Sequence, residues 1–334
     1  MDHARRVYDS VLDLLPSEQN PTPLVRVNQL NPSRERFELR AKLEWYNPFG
    51  SVKDRAASEL IRSLEDSGAL TPGGERGVVE ATSGNTGISL AAIAGVKGYR
   101  TRAIVPNKVP LEKKILLKLA GAELEVLNDA LCPAPGMGEG SINQAKTYAR
   151  AQSQRYAHAN QYENRANVEA HVRTTGPEIW SQTQGRITHL FVSLGTCGTV
   201  TGCATYLKQR NPDVRVIAVQ PTEGHDVPGL RNLAQLEVSK LYDPSLVDEI
   251  LEIDFELAYA RAAELARREG LFAGPSSGLI FEGARRVVER DFPASEASPD
   301  APRGVGVMIF CDNVFKYMSS MAKHLPELAE GTTP

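Results

Sequence analysis

The stretch Val78-Val79-Glu80-Ala81-Thr82-Ser83-Gly84-Asn85-Thr86-Gly87-Ile88-Ser89-Leu90 decides the fold. Its β-branched opening reads as a short strand, Val78–Ala81. A cluster of glycine, hydroxyl and amide residues follows, and a helical pattern, Thr86–Lys97, begins at once. The same succession recurs outward from it. Further strands are expected at Thr101–Val105, Glu123–Leu127, His189–Ser193, Val214–Gln220 and Val305–Cys311. Helices are expected at Lys53–Ser67, Leu111–Leu119, Ser141–Arg155, Thr199–Arg210, Phe255–Arg268 and Ser277–Arg290. Most of these strands are largely apolar, as strands covered on both faces are. The alternation predicts an α/β fold with parallel sheets covered by helices.

Length and composition narrow the class. At roughly 150 residues per domain, 334 residues suggest two domains. The net charge of −3 gives no field for a polyanion, so nucleic acid is not the expected partner. No apolar run approaches about 18 residues, so no membrane span is expected. The opening MDHARRVYDSVLDLLPSEQ has charges inside its apolar stretch and reads as an amphipathic helix, not a signal peptide. Cys132, Cys197, Cys203 and Cys311 are scattered, which argues for reduced thiols in a cytoplasmic protein over zinc or a disulfide scaffold. Turn-rich stretches at Asn128–Gly140, Pro221–Asp248 and Pro293–Arg303 read as loops, and Leu325–Pro334 as a loose tail.

Three small-residue segments follow strands or precede helices, and α/β sheets bind ligands where strand ends and helix starts meet. They are Ala81–Gly87, Gly195-Thr196-Cys197-Gly198-Thr199 and Gly274-Pro275-Ser276-Ser277-Gly278. Each alone is an ordinary capped turn. Together, their hydroxyls and free N–H groups suit a small anion bearing phosphate or carboxylate. None is GxGxxG after a first strand, GxxxxGK[ST] or HExxH, and Gly274–Gly278, which spells GxSxG, follows no expected strand and so lacks the strand-to-helix turn of a nucleophile elbow; a dinucleotide fold, a P-loop, a zinc hydrolase and a serine hydrolase are poor fits, and no metal is expected. Covalent chemistry then falls to lysine. Lys113, Lys114 and Lys118 read as solvated helix-face residues. Lys53, in Asn47-Pro48-Phe49-Gly50-Ser51-Val52-Lys53-Asp54-Arg55, follows a tight turn and opens a helix. A neutral lysine amine there can form a Schiff base.

These motifs, in this order, give a specific resemblance. NPTPLV at 20–25, NPFGSVKDR, TSGNTG, TTGPEIW at 174–180, GTCGT and GPSSG resemble a fold type II pyridoxal-phosphate enzyme of the cysteine synthase / cystathionine β-synthase family over nearly the whole chain. The resemblance implies pyridoxal 5'-phosphate as cofactor and Lys53 as the lysine that binds it and then acts as base at the substrate Cα. It implies Asn85 at the cofactor ring oxygen, Gly195, Thr196, Cys197, Gly198 and Thr199 as the phosphate cup, and Ser276 at the pyridine nitrogen. Thr82, Ser83, Asn85, Thr86 and Gln161 resemble the site for the substrate carboxylate. Cys197 departs from the usual GTGGT, where a glycine stands, and reads as a small packed residue.

The implied reaction is β-replacement on an O-activated L-serine, through an aminoacrylate, with sulfide giving L-cysteine. Alternatives are cystathionine formation, an amine acceptor, serine or threonine deamination, or a binding protein that keeps the fold without the chemistry. Leu230-Arg231-Asn232 with Leu241-Tyr242-Asp243-Pro244 resembles the O-phosphoserine-using branch, which makes Arg231 the expected phosphate partner. The resemblance also implies two three-layer α/β domains, 38–164 and 1–37 plus 165–334, with the cofactor between them, in a homodimer. Little length is left for an appended regulatory module.

Overall fold

The structure is a computed structural model that describes residues 7–129, 140–296 and 303–331. The strands are β1 Leu24–Val27, β2 Phe37–Leu43, β3 Gly77–Ala81, β4 Thr101–Pro106, β5 Glu123–Leu127, β6 Tyr156–His158, β7 His189–Ser193, β8 Arg215–Pro221, β9 Glu249–Ile253 and β10 Gly304–Phe310. The helices are α1 Lys53–Asp66, α2 Asn85–Val96, α3 Leu111–Leu119, α4 Gly140–Ala151, α5 Ala166–Ala170, α6 Gly176–Gln182, α7 Gly198–Arg210, α8 Phe255–Glu269, α9 Pro275–Asp291 and α10 Met318–His324. A π-helical turn, His171–Thr175, joins α5 to α6.

Two sheets form the frame. One has the order β5-β4-β3-β6 and is wholly parallel. The other has the order β1-β2-β10-β7-β8-β9, with only β1 antiparallel to its neighbour. β10 lies between β2 and β7, with Val307 opposite both Arg40 and Leu190. β3, β7 and β10 are buried at every residue, which explains their continuous apolar runs.

Helix faces follow from residue spacing. On α1 the buried residues Ala56, Ala57, Leu60, Ile61 and Leu64 make one stripe against the smaller sheet's core. Each fully buried leucine or isoleucine there contributes roughly 1.5–3 kcal/mol. α8 starts where Asp254 accepts from the Glu256 N–H at 3.0 Å, and stops at Gly270, whose φ is +70°. The opposite face of α1 carries Arg55 into a buried ionic cluster. Arg55 Nε donates to Glu44 at 2.7 Å, and its Nη1 to Glu178 at 2.6 Å. Lys42 Nζ donates to Glu178 at 2.6 Å and to the Thr22 carbonyl at 2.7 Å. Burial works against charge on Glu44, but Arg55 holds its carboxyl down to about 2.

The six strands and seven helices read from the sequence all form, most within a residue or two of the expected ends. α4 is shorter than expected, since the chain turns after Ala151 to enter β6. β1, β2, β6 and β9 were not foreseen. Charged residues hide β2 (FELRAKL), although Lys42 is buried through its ion pair. Residues 38–43, expected in the first unit, are hydrogen-bonded into the six-stranded sheet. The expected amino-terminal helix is absent from the described residues, where only a four-residue 3-10 turn, Val11–Leu14, forms. Met1–Arg6, Cys132, most of the loops expected at Asn128–Gly140 and Pro293–Arg303, and Thr332–Pro334 lie outside the described residues. Pro326–Leu328, within the expected loose tail, forms a 3-10 turn. No helix among the described residues is long and apolar enough to cross a membrane.

Candidate active site

The carboxyl ends of β3, β7 and β10 bring their loops to one cleft of about 750 Å³ empty volume. Its wall includes Lys53, Ser83, Asn85, Thr86, Gln161, Gly195, Thr196, Cys197, Thr199 and Ser276, all expected site residues. Lys53 opens α1 just after a turn clamped from the other sheet. The Val52 N–H donates to the Cys311 carbonyl at 2.8 Å, and Lys316 Nζ donates to the Phe49 and Gly50 carbonyls at 3.0 and 2.9 Å. Gly50 has φ +80°, a conformation glycine adopts without strain. Asp54 ties the turn to α2, accepting from the Phe49 N–H at 2.7 Å and from Ser89 Oγ at 2.6 Å, and burial pushes its carboxyl up to about 6.

The loop after β3 is braced from within. Thr82 Oγ1 accepts from the Gly84 and Gly87 N–H groups at 3.0 and 3.1 Å, so Thr82 shapes the loop, and it lines a smaller cavity beside the cleft instead of the cleft itself. Asn85 Nδ2 donates to Asp312 Oδ2 at 2.7 Å, and Tyr317 Oη donates to the same oxygen at 2.6 Å. Thr86 Oγ1 donates to Gln161 Oε1 at 2.7 Å, with both residues buried. Lys113, expected on a solvated face, is buried beneath this loop, with Nζ 3.9 Å from the Tyr317 ring centroid. Burial pushes its amine down to about 8, so the cleft wall holds a second lysine close to titration at neutral pH.

The loop after β7 runs into the 13-residue helix α7. A Cβ on Gly195 would lie 2.6 Å from the Gly229 carbonyl oxygen, and one on Gly198 would lie 2.1 Å from Asn167 Oδ1. Gly198 itself lies behind the wall. Asn167 Nδ2 donates to Thr196 Oγ1 at 2.9 Å and to the Gln161 carbonyl at 2.8 Å, which links the loop after β7 to the segment after β6. His171 Nε2 lies 3.1 Å from Thr199 Oγ1, and burial pushes the ring down to about 3, so a neutral imidazole orients that hydroxyl. Cys197 has φ +66°, which explains why glycine suits this position. Its thiol is buried, pushed up to about 12, and 3.8 Å from the Gly195 carbonyl oxygen, so it is a packed thiol without nucleophilic character.

Arg231 does not reach the first cleft. It lines a smaller adjoining cavity of about 380 Å³ empty volume, whose wall shares Ser83, Tyr162, Gly229 and Leu230 with the first. Its Nη2 donates to Tyr162 Oη at 3.2 Å. The sequence reading missed Asn167, His171, Asp312, Tyr162 and Tyr317, and only Lys113 carried a signal. It stands four residues before the buried Leu117, on the inward face of α3.

The residues fit pyridoxal phosphate. A glycine cradle too tight for any Cβ meets the N-terminus of a long helix, which suits a phosphate, and a lysine stands across the cleft. Fold and site define a fold type II pyridoxal-phosphate-dependent enzyme. A family profile described as "Pyridoxal-phosphate dependent enzyme" matches residues 15–298, and the chain belongs to that family. Cysteine synthase B of Salmonella typhimurium is 40% identical over 301 residues, covering 90% of this chain and 92% of the relative. Among solved structures, an O-ureido-L-serine synthase superposes with TM-score 0.82 at 29% identity, covering 96% of each chain. Isoform 3 of O-acetylserine sulfhydrylase from Entamoeba histolytica superposes with TM-score 0.79 at 28% identity, covering 96% of this chain and 92% of the other.

Proposed function

We propose that this protein is a cysteine synthase, replacing the β-substituent of an O-activated L-serine with sulfide to give L-cysteine. The observation that carries this is one cleft joining Lys53, a hydroxyl-rich loop at 82–86 and a glycine cradle at the N-terminus of α7. The identity to cysteine synthase B supports it. When bound, the cofactor supplies an electron sink for loss of the α-proton and the β-substituent. Lys53 holds it and, once released, carries the Cα proton as general base. Ser83, Asn85, Thr86 and Gln161 bind the substrate carboxylate, with Thr82 shaping their loop. Gly195, Thr196, Cys197, Gly198 and Thr199 hold the cofactor phosphate, and Asn85 and Ser276 its ring. Ser276 offers a neutral hydroxyl, which favours prompt β-elimination over a long-lived carbanion.

Arg231 selects O-phospho-L-serine, its guanidinium matching a phosphate placed in the adjoining cavity. The enzyme works as a cytoplasmic homodimer whose smaller sheet unit, from about residue 44 to 164, closes on the larger. The test is a substrate panel with O-acetylserine, O-phosphoserine and serine, each with sulfide or homocysteine. Cysteine from an O-activated serine and sulfide, fastest with O-phosphoserine, is the expected result. Cystathionine as the main product, or ammonia and keto acid without added nucleophile, would replace the reading. Light scattering at twice the chain mass tests the dimer.

A further inference from the structure

Behind the carboxylate loop lies a buried acid to which the reaction gives no part. Glu80, near the end of β3, is almost wholly buried. It accepts from Gln161 twice, through the backbone N–H at Oε2 and through Nε2 at Oε1, both at 3.3 Å. Gln161 Nε2 also donates to the Ala81 carbonyl at 2.7 Å. Both hydrogens of that amide are therefore spent on acceptors that face away from the cleft. Only Oε1 faces the site, where it takes the Thr86 hydroxyl hydrogen at 2.7 Å. In this arrangement neither the Gln161 side chain nor the Thr86 hydroxyl has a proton to offer an incoming carboxylate.

Turning the Gln161 amide over would release two donors at once, its own N–H and the Thr86 O–H. It would also set Oε1 against Glu80 and against the Ala81 carbonyl oxygen, and the second contact costs the same whether or not Glu80 is protonated, so Glu80 supplies the difference. A charged Glu80 repels that oxygen, whereas a protonated Glu80 donates to it. We propose that Glu80 is a positioning residue that gates the substrate-carboxylate subsite by setting which face of the Gln161 amide the cleft sees. The gate rests on the reading that Gln161 binds the substrate carboxylate.

The surroundings make the proton available. Burial pushes the Glu80 carboxyl up to about 7. Across the sheet, His158 Nε2 on β6 lies 3.7 Å from Glu80 Oε2, and burial pushes that ring down to about 4, so it brings no charge. Beyond His158, Lys146 on α4 is paired with Glu163 at 2.7 Å. The direction follows. Protonated Glu80 favours the turned amide, so carboxylate affinity is highest below about pH 7 and falls above it, and carboxylate binding takes up a proton.

L-Lactate tests this, since it offers a carboxylate without an amine that could displace Lys53. Its affinity for the holoenzyme is read from the cofactor absorbance shift. Between pH 6 and 8.5 a full gate weakens wild-type binding about 30-fold. Glu80→Gln, which can donate to the turned amide at any pH, binds lactate with a nearly flat profile. Any slope that remains in Glu80→Gln above pH 8 belongs to Lys113 and disappears when Lys113→Met is added to it. An unchanged wild-type slope in Glu80→Gln overturns the gate. Gln161→Ala separates the two layers. If it binds lactate as the wild type does at every pH, Gln161 is not in the subsite and the underlying reading fails. If it weakens binding while Glu80→Gln keeps the wild-type slope, only the gate fails. Should Glu80→Gln not fold, calorimetry of wild type at pH 7 in buffers of different ionisation enthalpy decides. Uptake of about half a proton per lactate supports the gate, and none refutes it.

Discussion

Glu178→Gln tests how the helix that carries Lys53 is held. Glu178 accepts 2.6 Å from Lys42, 2.6 and 2.8 Å from Arg55, and 3.2 Å from the Thr22 N–H. The side chains of Lys42, Arg55, Glu44 and Glu178 have no exposed surface, and two cations face two carboxylates. Glutamine keeps the shape and some of the hydrogen bonds but removes one negative charge, so Glu44 is left to serve both cations. One-sided loss from a buried ionic group costs about 3–5 kcal/mol, and the retained amide contacts place this case near 3. Urea unfolding, followed by far-UV circular dichroism and by cofactor absorbance, reads the loss. Adding Lys42→Met removes the surplus cation and should recover at least about half of it. The loss should also shrink at alkaline pH, because burial pushes the Lys42 amine below its ordinary value. A cost under about 1 kcal/mol, or a double variant no more stable than the single, would refute the charge-balance argument.

Three further outcomes are expected. Arg231→Ala should lower kcat/KM on O-phosphoserine about 10- to 150-fold, the worth of a charge-assisted pair, and by less than about threefold on O-acetylserine; equal losses would remove Arg231 from phosphate selection. Lys113→Met should raise KM for an anionic substrate about fivefold or more at pH 7. Added to Glu80→Gln, it should also abolish the rise in KM that remains above about pH 8, where the Lys113 ammonium is lost; a rise that persists in that double variant assigns the titration elsewhere. Cys197→Gly should melt within about 1 kcal/mol of wild type, since relief of the positive φ offsets lost packing. Cys197→Val, β-branched at φ +66°, should hold the cofactor at least about tenfold more weakly by equilibrium dialysis, and matched affinities would refute the backbone argument.

The fold and half of the site were legible because their signals are local. A βα turn needs small residues between a strand and a helix, and the loops after β3 and β7 show them within one short window, as does the α8–α9 connection at Gly274–Gly278. The supports were illegible because they arrive from elsewhere. Asn167 joins the loop after β7 to the segment after β6 from an amide in an ordinary helical stretch, and Asp312 meets Asn85 from 227 residues away. β2 escaped because its charged residues break the expected apolar run, and only the partner Glu178, 136 residues on, makes a buried Lys42 tolerable. Arg231 was legible as a cation near the site, but its placement in the adjoining cavity depends on the turn at Gly229, whose φ is +86°.

The position of β10 has a consequence for how the protein is made. β10, which follows every other described strand in sequence, fills the slot between β2 and β7, and the residues just beyond it clamp the Lys53 turn and Asn85. Until residues 304–310 have left the ribosome, the larger sheet has a gap at its centre, with the flanking edges of β2 and β7 unpaired. Contacts of such long sequence separation form slowly. A nascent chain can therefore fold its four-stranded sheet early, but the catalytic cleft comes into being only once residues 304–317 join the larger sheet, in a step where exposed strand edges compete with aggregation.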